Sequence, residues 1–287
     1  MDRYVGRFAP SPTGELHLGS LVCAIASYLD AKAHHGRWLV RIEDLDPPRE
    51  PVWAAPKILE TLKVLGLSPD EPIVYQSKRH PLYKDALDFL IKQGRVYGCS
   101  CSRKEIAEYQ SSRGLASNIY PGLCRNKHLT ENVRSWRFRV PSEERTFKDR
   151  FFGEVRQNIE KEVGDFVLKR ADGFWAYQLA VVVDDYHQRI THIVRGADLL
   201  DNTPRQIELQ KALGYPVPTY LHIPLVLGEN GQKLSKQNGA TGLDLLNIDQ
   251  EIDKAWQHLG FERFSFDSCE KFFSKATELW RVSRYFS

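Results

Sequence analysis

A chain of 287 residues with 42% hydrophobic side chains can bury the cores of one or two domains, and its 40 basic against 37 acidic residues leave a net charge of only +3, so any surface for a polyanion must be a local patch. No apolar run approaches the ~20 residues that span a bilayer, and Met-Asp-Arg-Tyr opens neither a signal nor a transit peptide, so the chain is expected in the cytoplasm with no membrane partner. Five cysteines, an odd number without an export signal, argue against a disulfide framework and leave a metal or free thiols.

Residues 3–9 read as a short strand, and Leu21, Val22, Ile25, Tyr28 and Leu29 recur at helical spacing up to a stop at Gly36. Between them runs Arg7-Phe8-Ala9-Pro10-Ser11-Pro12-Thr13-Gly14-Glu15-Leu16-His17-Leu18-Gly19-Ser20. The first helical turn falls near Leu18 to Leu21, where backbone N–H groups and the positive end of the helix dipole favour an anion. Gly19 lets a ligand lie against the backbone, His17 can offer a ring N–H to a phosphate oxygen, and Ser20 adds a hydroxyl. This stretch resembles the class I aminoacyl-tRNA synthetases, whose first signature, His-Ile-Gly-His, stands here as His17-Leu18-Gly19-Ser20; the prefix Arg-Phe-Ala-Pro-Ser-Pro-Thr-Gly is similar to the glutamyl and glutaminyl branch. Ser20 departs from the pattern by removing one imidazole.

Residues 37–44 predict a second strand ending on Glu43 and Asp44, stopped by Leu45-Asp46-Pro47-Pro48. The carboxyl end of a strand in an open α/β sheet is where ligands bind, so Glu43 can meet an ammonium group, the role the family resemblance also implies. A helix over 53–65, a strand over 73–76 and a helix from Leu82 to Gly94 continue a βαβα order, which predicts an α/β fold: a Rossmann-like, mostly parallel sheet.

Cys99, Cys101 and Cys124 fall in a loop-rich stretch and can supply three corners of a tetrahedral zinc site; Cys23 and Cys269 fit apolar positions. His128 is the chemically obvious fourth donor. The stretch also resembles the glutamyl-Q tRNA(Asp) synthetases, and that resemblance implies Tyr120 as the ligand instead, leaving His128 as the alternative. Residues 135–170 alternate as strands of an inserted antiparallel element, and Arg134, Arg137, Arg139, Arg145, Lys148 and Arg150 make it the most basic stretch, either a solvated face or a surface for tRNA.

The apolar block after Tyr177 fits a helix turn or a buried strand equally well. The strand 191–198 places Arg195 at the carboxyl edge, where a guanidinium can take a carboxylate as a planar fork. Asp201-Asn202-Thr203-Pro204 caps a helix through Leu213, 221–227 is the last core strand, and Gln232-Lys233-Leu234-Ser235-Lys236-Gln237 resembles the second class I signature, Lys-Met-Ser-Lys-Ser. Two lysines in a Gly-flanked loop suit a triphosphate. Apolar spacing from Leu243 to Leu259 and from Phe272 to Trp280 predicts two helices that close the core.

The domain reading is a catalytic core over 1–98 and 173–240, an inserted zinc-containing α+β subdomain over 99–172 and a short helical tail over 241–287, with no anticodon-binding domain. The resemblance implies an ATP-dependent ligase that activates L-glutamate with ATP and Mg²⁺ and transfers it to queuosine in the anticodon of tRNA(Asp); a monomer is expected. Arg7, Ala9, Ser11, Glu43, Tyr177 and Arg195 would line the glutamate pocket; His17, Gly19, Ser20, Lys233, Ser235 and Lys236 would hold ATP, with His17, Lys233 and Lys236 catalytic; Cys99, Cys101, Tyr120 and Cys124 would hold one structural Zn²⁺. The alternatives are a truncated glutamyl-tRNA synthetase charging a tRNA 3′ end and a non-catalytic module binding tRNA or a partner.

Overall fold

Strand β1 (Val5–Phe8) is buried along its whole length, and the helix that follows, α1 (Leu18–Ala33), is buried on nearly every side, as its run of Leu, Val, Ala and Ile requires. The computed structural model describes residues 4–228 and 241–286. After α1 the chain turns tightly over the N-terminal strand: a Cβ on Gly36 would stand 2.5 Å from the Tyr4 carbonyl oxygen, so only glycine fits. Strand β2 (Arg37–Ile42) then pairs parallel with β1, helix α2 (Ala54–Val64) crosses over, and β3 (Val74–Tyr75) pairs parallel with β2. Helix α3 (His80–Lys92) ends at Gly94, whose φ of +67° closes the last turn.

The next elements are β4 (Val96–Cys99), α4 (Arg103–Ser112), β5 (Ser135–Phe138), β6 (Arg145–Asp149), β7 (Gly153–Gln157), a single helical turn α5 (Ile159–Glu162) and β8 (Val167–Lys169). Strands β4, β5 and β8 form a small antiparallel sheet. The expectation of one inserted antiparallel element fails for the hairpin β6–β7. Its two strands pair antiparallel with each other, but β6 lies parallel to a core strand instead, through Asp149 and Tyr220. Alternating polarity predicts a strand and cannot say which sheet it joins.

The ambiguous apolar block is helix α6 (Tyr177–His187), buried from Gln178 to Asp185. Burial on all sides erases the period that distinguishes helix from strand. Strand β9 (His192–Gly196), helix α7 (Thr203–Leu213) and strand β10 (Thr219–Ile223) complete the core, β9 and β10 pairing parallel in register from His192↔Thr219 to Gly196↔Ile223. Pro204 sits in the first turn of α7, but Asn202 does not cap it; its Oδ1 accepts from Gln178 Nε2 and Arg205 Nη2. Thr191, just before β9, bonds both Val5 backbone groups, so the parallel strands run side by side in the order β3-β2-β1-β9-β10-β6, with β7 antiparallel at the edge. That order reverses direction between β1 and β9, which opens a crevice at the strands' carboxyl ends.

Helices α8 (Ile248–His258) and α9 (Cys269–Arg281) pack on α1, burying Ile252, Trp256, Phe272, Phe273 and Trp280. Each fully buried Leu21, Ile25 and Leu29 contributes ~1.5–3 kcal/mol to this core. At its centre lies Asp30, with no exposed surface, which accepts from the Tyr4 hydroxyl, from both terminal nitrogens of Arg150 (2.6 and 2.9 Å) and from Trp280 Nε1 (2.9 Å). Among the described residues no helix is long and apolar enough to cross a membrane.

Candidate active site and metal centre

A cavity of about 670 Å³ fills the crevice between β1 and β9, floored by the chain after β1 and walled by the start of α1 and the segments after β9 and β10. It gathers Arg7, Ala9, Ser11, His17, Gly19, Ser20, Glu43, Tyr177 and Arg195, residues up to 188 positions apart in sequence, and adds Arg49, which carries no motif. Lys233, Ser235 and Lys236 lie outside the described residues.

At one end His17 caps α1 in an extended conformation, its Nδ1 accepting from Ser20 N–H at 3.3 Å. The Ser20 amide is therefore taken by the cap, and a neutral His17 must carry its proton on Nε2, the form that donates to an oxygen. No acidic residue occupies the first turn of α1, which favours an anion there, although Glu15, two residues before the cap, lines the same cavity.

At the other end sits a buried ionic network. Arg41, without exposed surface, donates to Glu43 Oε1 (3.3 and 3.0 Å) and to Asp185 Oδ1 (2.8 Å), while Arg7 Nε donates to the same Asp185 oxygen (3.2 Å). Asp184 accepts from Arg79 Nε, Gln76 Nε2 and the Tyr83 hydroxyl. Three guanidinium groups thus face three carboxylates. Burial pushes the Glu43 carboxyl up against the opposing pull of Arg41 and Arg7, whereas at Asp185 the same burial is outweighed by Arg7 and Arg41 and the carboxyl is held below its ordinary range. Arg195 differs: among the described residues its hydrogen-bond partners are neutral, namely His222 Nε2 (3.1 Å), the Thr203 hydroxyl (2.8 Å) and the Tyr177 hydroxyl (3.5 Å). A buried cation so placed beside a cavity is able to take a carboxylate.

Sequence reasoning missed Arg41, Asp184, Asp185, Asp149, His222 and Thr203. None lies in a recognisable motif except Arg41, two residues before Glu43, and only the sheet order brings them together.

The second centre is small and local. The three Sγ atoms of Cys99, Cys101 and Cys124 lie within 4.8 Å of one another, and Cys101 and Cys124 are 3.4 Å apart. Zinc–sulfur bonds of ~2.3 Å in a tetrahedron set sulfurs ~3.8 Å apart, so the donor set fits zinc. The Tyr120 hydroxyl lies 3.3 Å from Cys99 Sγ and accepts from Cys124 N–H at 3.1 Å, while His128 is exposed and outside the group. Burial opposes the Cys124 thiolate, but hydrogen bonds from Ser100 and Cys101 bring that thiol down to about 7; burial and its sulfur neighbours push Cys101 up to about 12. Gly164, at φ +74°, passes so close that a Cβ there would meet the Tyr120 carbonyl oxygen at 2.5 Å, and the guanidinium of Arg137 lies 3.6 Å over the Tyr120 ring.

That contact also bears on the basic stretch. Arg137 further donates to the Asp165 carbonyl, Arg139 to the Arg125 carbonyl, Arg145 pairs with Glu208 and Arg150 with Asp30, so these four charges serve internal contacts; Arg134 and Lys148 are exposed.

Residues 4–265 match the family tRNA synthetases class I (E and Q), catalytic domain. A glutamyl-Q tRNA(Asp) synthetase of Janthinobacterium sp. (strain Marseille) is 51% identical over 291 residues, covering 98% of this chain and 96% of the relative. Another, from Cupriavidus metallidurans, is 57% identical over 265 residues, 90% of this chain and 85% of the relative. The chain belongs to this synthetase family. It is a ligase of the class I aminoacyl-tRNA synthetase type, with that class's parallel-sheet fold. Among solved structures, a glutamate tRNA ligase from Elizabethkingia meningosepticum, in complex with its amino acid, is similar at TM-score 0.74 and 30% identity over 83% of this chain and 53% of that one. The synthetase thus spans about half the length of that ligase. A methionyl-tRNA synthetase of Mycobacterium tuberculosis, 12% identical with a TM-score of 0.54, shares the fold alone, over 90% of this chain and 64% of that one.

Proposed function

We propose that this synthetase activates L-glutamate with ATP and passes it to queuosine in the anticodon of tRNA(Asp), in the cytoplasm. The observation that carries the glutamate reading is Arg195: a buried guanidinium whose hydrogen-bond partners among the described residues are neutral, beside an ionic network already balanced at three charges against three. Arg7, Ala9, Ser11 and Tyr177 complete the pocket, and Glu43 takes the ammonium group.

In the first step a carboxylate oxygen of glutamate attacks the α-phosphorus of ATP, a new P–O bond forms, the bond to the bridging oxygen breaks and pyrophosphate leaves. A hydroxyl of the queuosine cyclopentenediol then attacks the adenylate carbonyl, an ester forms, AMP departs and the hydroxyl loses its proton. No protein nucleophile is required. The chain contributes position and charge: the N-terminus of α1 with Gly19 and Ser20, the Nε2–H of His17, and Lys233, Ser235 and Lys236 on the phosphates. Mg²⁺ accompanies ATP and neutralises part of its charge. One structural zinc is held by Cys99, Cys101, Cys124 and Tyr120.

ATP/pyrophosphate exchange tests the amino acid. Glutamate is expected to support it and glutamine not, because a buried Arg195 facing an uncharged amide forfeits ~2–5 kcal/mol; equal rates would end this reading. Labelled glutamate on tRNA(Asp) with and without queuosine tests the acceptor. The likeness to the Elizabethkingia ligase favours a second reading, charging of a tRNA 3′ end, and label on queuosine-free tRNA(Glu) alone would select it.

A further inference from the structure

His222 faces Arg195 across the parallel pair β9–β10, the two residues standing in register. Its ring has no exposed surface, and neither has Asp149, which β6 brings alongside β10. Asp149 Oδ2 lies 2.7 Å from His222 Nδ1 and accepts the His222 backbone N–H at 3.0 Å, while its Oδ1 accepts from the backbone N–H groups of Phe151 and Phe152 at 3.0 and 2.9 Å. A carboxylate that receives three backbone donors stays ionised and can only accept, so Nδ1 of His222 must carry the proton and Nε2 must be the acceptor. Arg195 Nε donates to that Nε2 at 3.1 Å. On the same guanidinium, Nη2 donates to Thr203 Oγ1 at 2.8 Å, and the remaining Nη1 stands 3.5 Å from the hydroxyl of Tyr177, which lines the cavity. Two of the three guanidinium nitrogens are thereby held by buried groups, and the third stands on the Tyr177 side, next to the cavity.

We infer that His222, clamped by Asp149, is a positioning residue for glutamate: its neutral Nε2 sets the orientation in which Arg195 meets the substrate carboxylate. An imidazolium at the same place would set N–H against N–H and a second cation against Arg195, and burial, aided by the charge of Arg195, disfavours that form. The inference rests on Arg195 as a carboxylate-binding residue in the proposed function.

Two variants of the full chain separate positioning from packing in the exchange assay. His222→Asn keeps a donor towards Asp149 and loses the acceptor at Nε2; it is expected to raise the KM for glutamate ~10-fold while kcat and the KM for ATP stay within about two-fold. His222→Gln carries a carbonyl oxygen out to the Nε2 position and is expected to return the glutamate KM to within about three-fold of wild type. An unchanged KM in the first variant, or equal losses in both, overturns the inference while leaving the glutamate reading intact. Absence of glutamate exchange by the wild type counts against the functional reading alone. Independently of any variant's folding, ring ¹⁵N shifts of histidine-labelled wild-type protein should give His222 as the Nδ1–H tautomer; the Nε2–H tautomer or an imidazolium overturns the inference.

Discussion

The amino-acid end of the cavity and the cysteine cluster are both buried and both crowded with polar atoms, yet their polar groups are balanced by different means. In the cavity, Arg7, Arg41 and Arg79 meet Glu43, Asp184 and Asp185, and the partners come from 178, 144 and 105 residues away. Among the described residues each of these three arginines has a carboxylate partner, whereas Arg195 bonds to neutral groups. In the cluster the donors lie within residues 99–124, and two of their sulfurs stand 3.4 Å apart, the Cys101 thiol pushed up by burial and its neighbours and the Cys124 thiol brought down by its hydrogen bonds. The local core there comprises only Tyr97, Cys99, Tyr120 and Cys124 with four partly buried neighbours. A site assembled from distant strands inherits its order from the fold, whereas one assembled from a short loop can borrow order from an ion.

Four measurements break or sharpen that contrast. Asp185→Asn strips both Arg7 and Arg41 of a buried partner and is expected to cost ~3–5 kcal/mol in denaturant unfolding. Because Arg7 and Arg41 hold the Asp185 carboxyl below its ordinary value despite burial, its contribution is complete above the unfolded pKa of ~3.9 and is lost as pH falls through the lower folded value, so the gap between wild type and variant should close there. Glu43 acts in the opposite sense, since its raised value favours the protonated folded form. A loss under about 1 kcal/mol at neutral pH would mean that the network is not held by charge pairing.

Next in size is removal of the ion. One zinc per chain is expected by elemental analysis, and chelation should lower stability by about 2.7 kcal/mol where free zinc had stood 100-fold above its Kd. Tyr120→Phe should weaken retention of the ion and His128→Ala should not; the reverse pattern would return the fourth ligand to His128, and no zinc in wild type would end the metal assignment. Gly164→Ala forces a Cβ into the Tyr120 backbone at positive φ, with an expected cost of ~1–3 kcal/mol and a weaker hold on zinc. Loss of stability with zinc affinity intact would show that Tyr120 is dispensable to the ion. The smallest effect belongs to Ser102→Ala, which removes the capping box of α4 beside Cys101 at ~1 kcal/mol and should leave the metal content unchanged. Zinc lost there would assign the order of the cluster to the helix.

How far the chain could be read beforehand follows the same division. Residues that lie in short motifs, from Arg7 to Ser20 and the three cysteines Cys99, Cys101 and Cys124, were visible because their chemistry and their spacing are local, whereas Tyr120 was named only through the family resemblance. Asp149 and His222 were not, since an Asp at the end of one strand and a His inside another acquire meaning only when β6 is found against β10. Helix α4 was passed over for a different reason: only Gln110 on it is buried, so it has no apolar stripe, although Ser102 and Glu105 at capping-box spacing were a signal available in the sequence. The block after Tyr177 stayed undecided because complete burial removes periodicity from helix and strand alike.

Asp30 joins Tyr4 near the start of the chain to Arg150 in the middle and to Trp280 near its end, across 250 residues of sequence. During synthesis, then, α1 can form early but cannot be sealed, because the charge of Asp30 waits for Arg150, and the surface of Ile25 and Leu29 and the last hydrogen bond to Asp30 wait for α8 and α9 to be translated. Contacts of such span are the last to close and leave the apolar side of α1 open to other chains in the meantime. A nascent chain of this synthetase is expected to become resistant to proteolysis only after Trp280 has emerged from the ribosome.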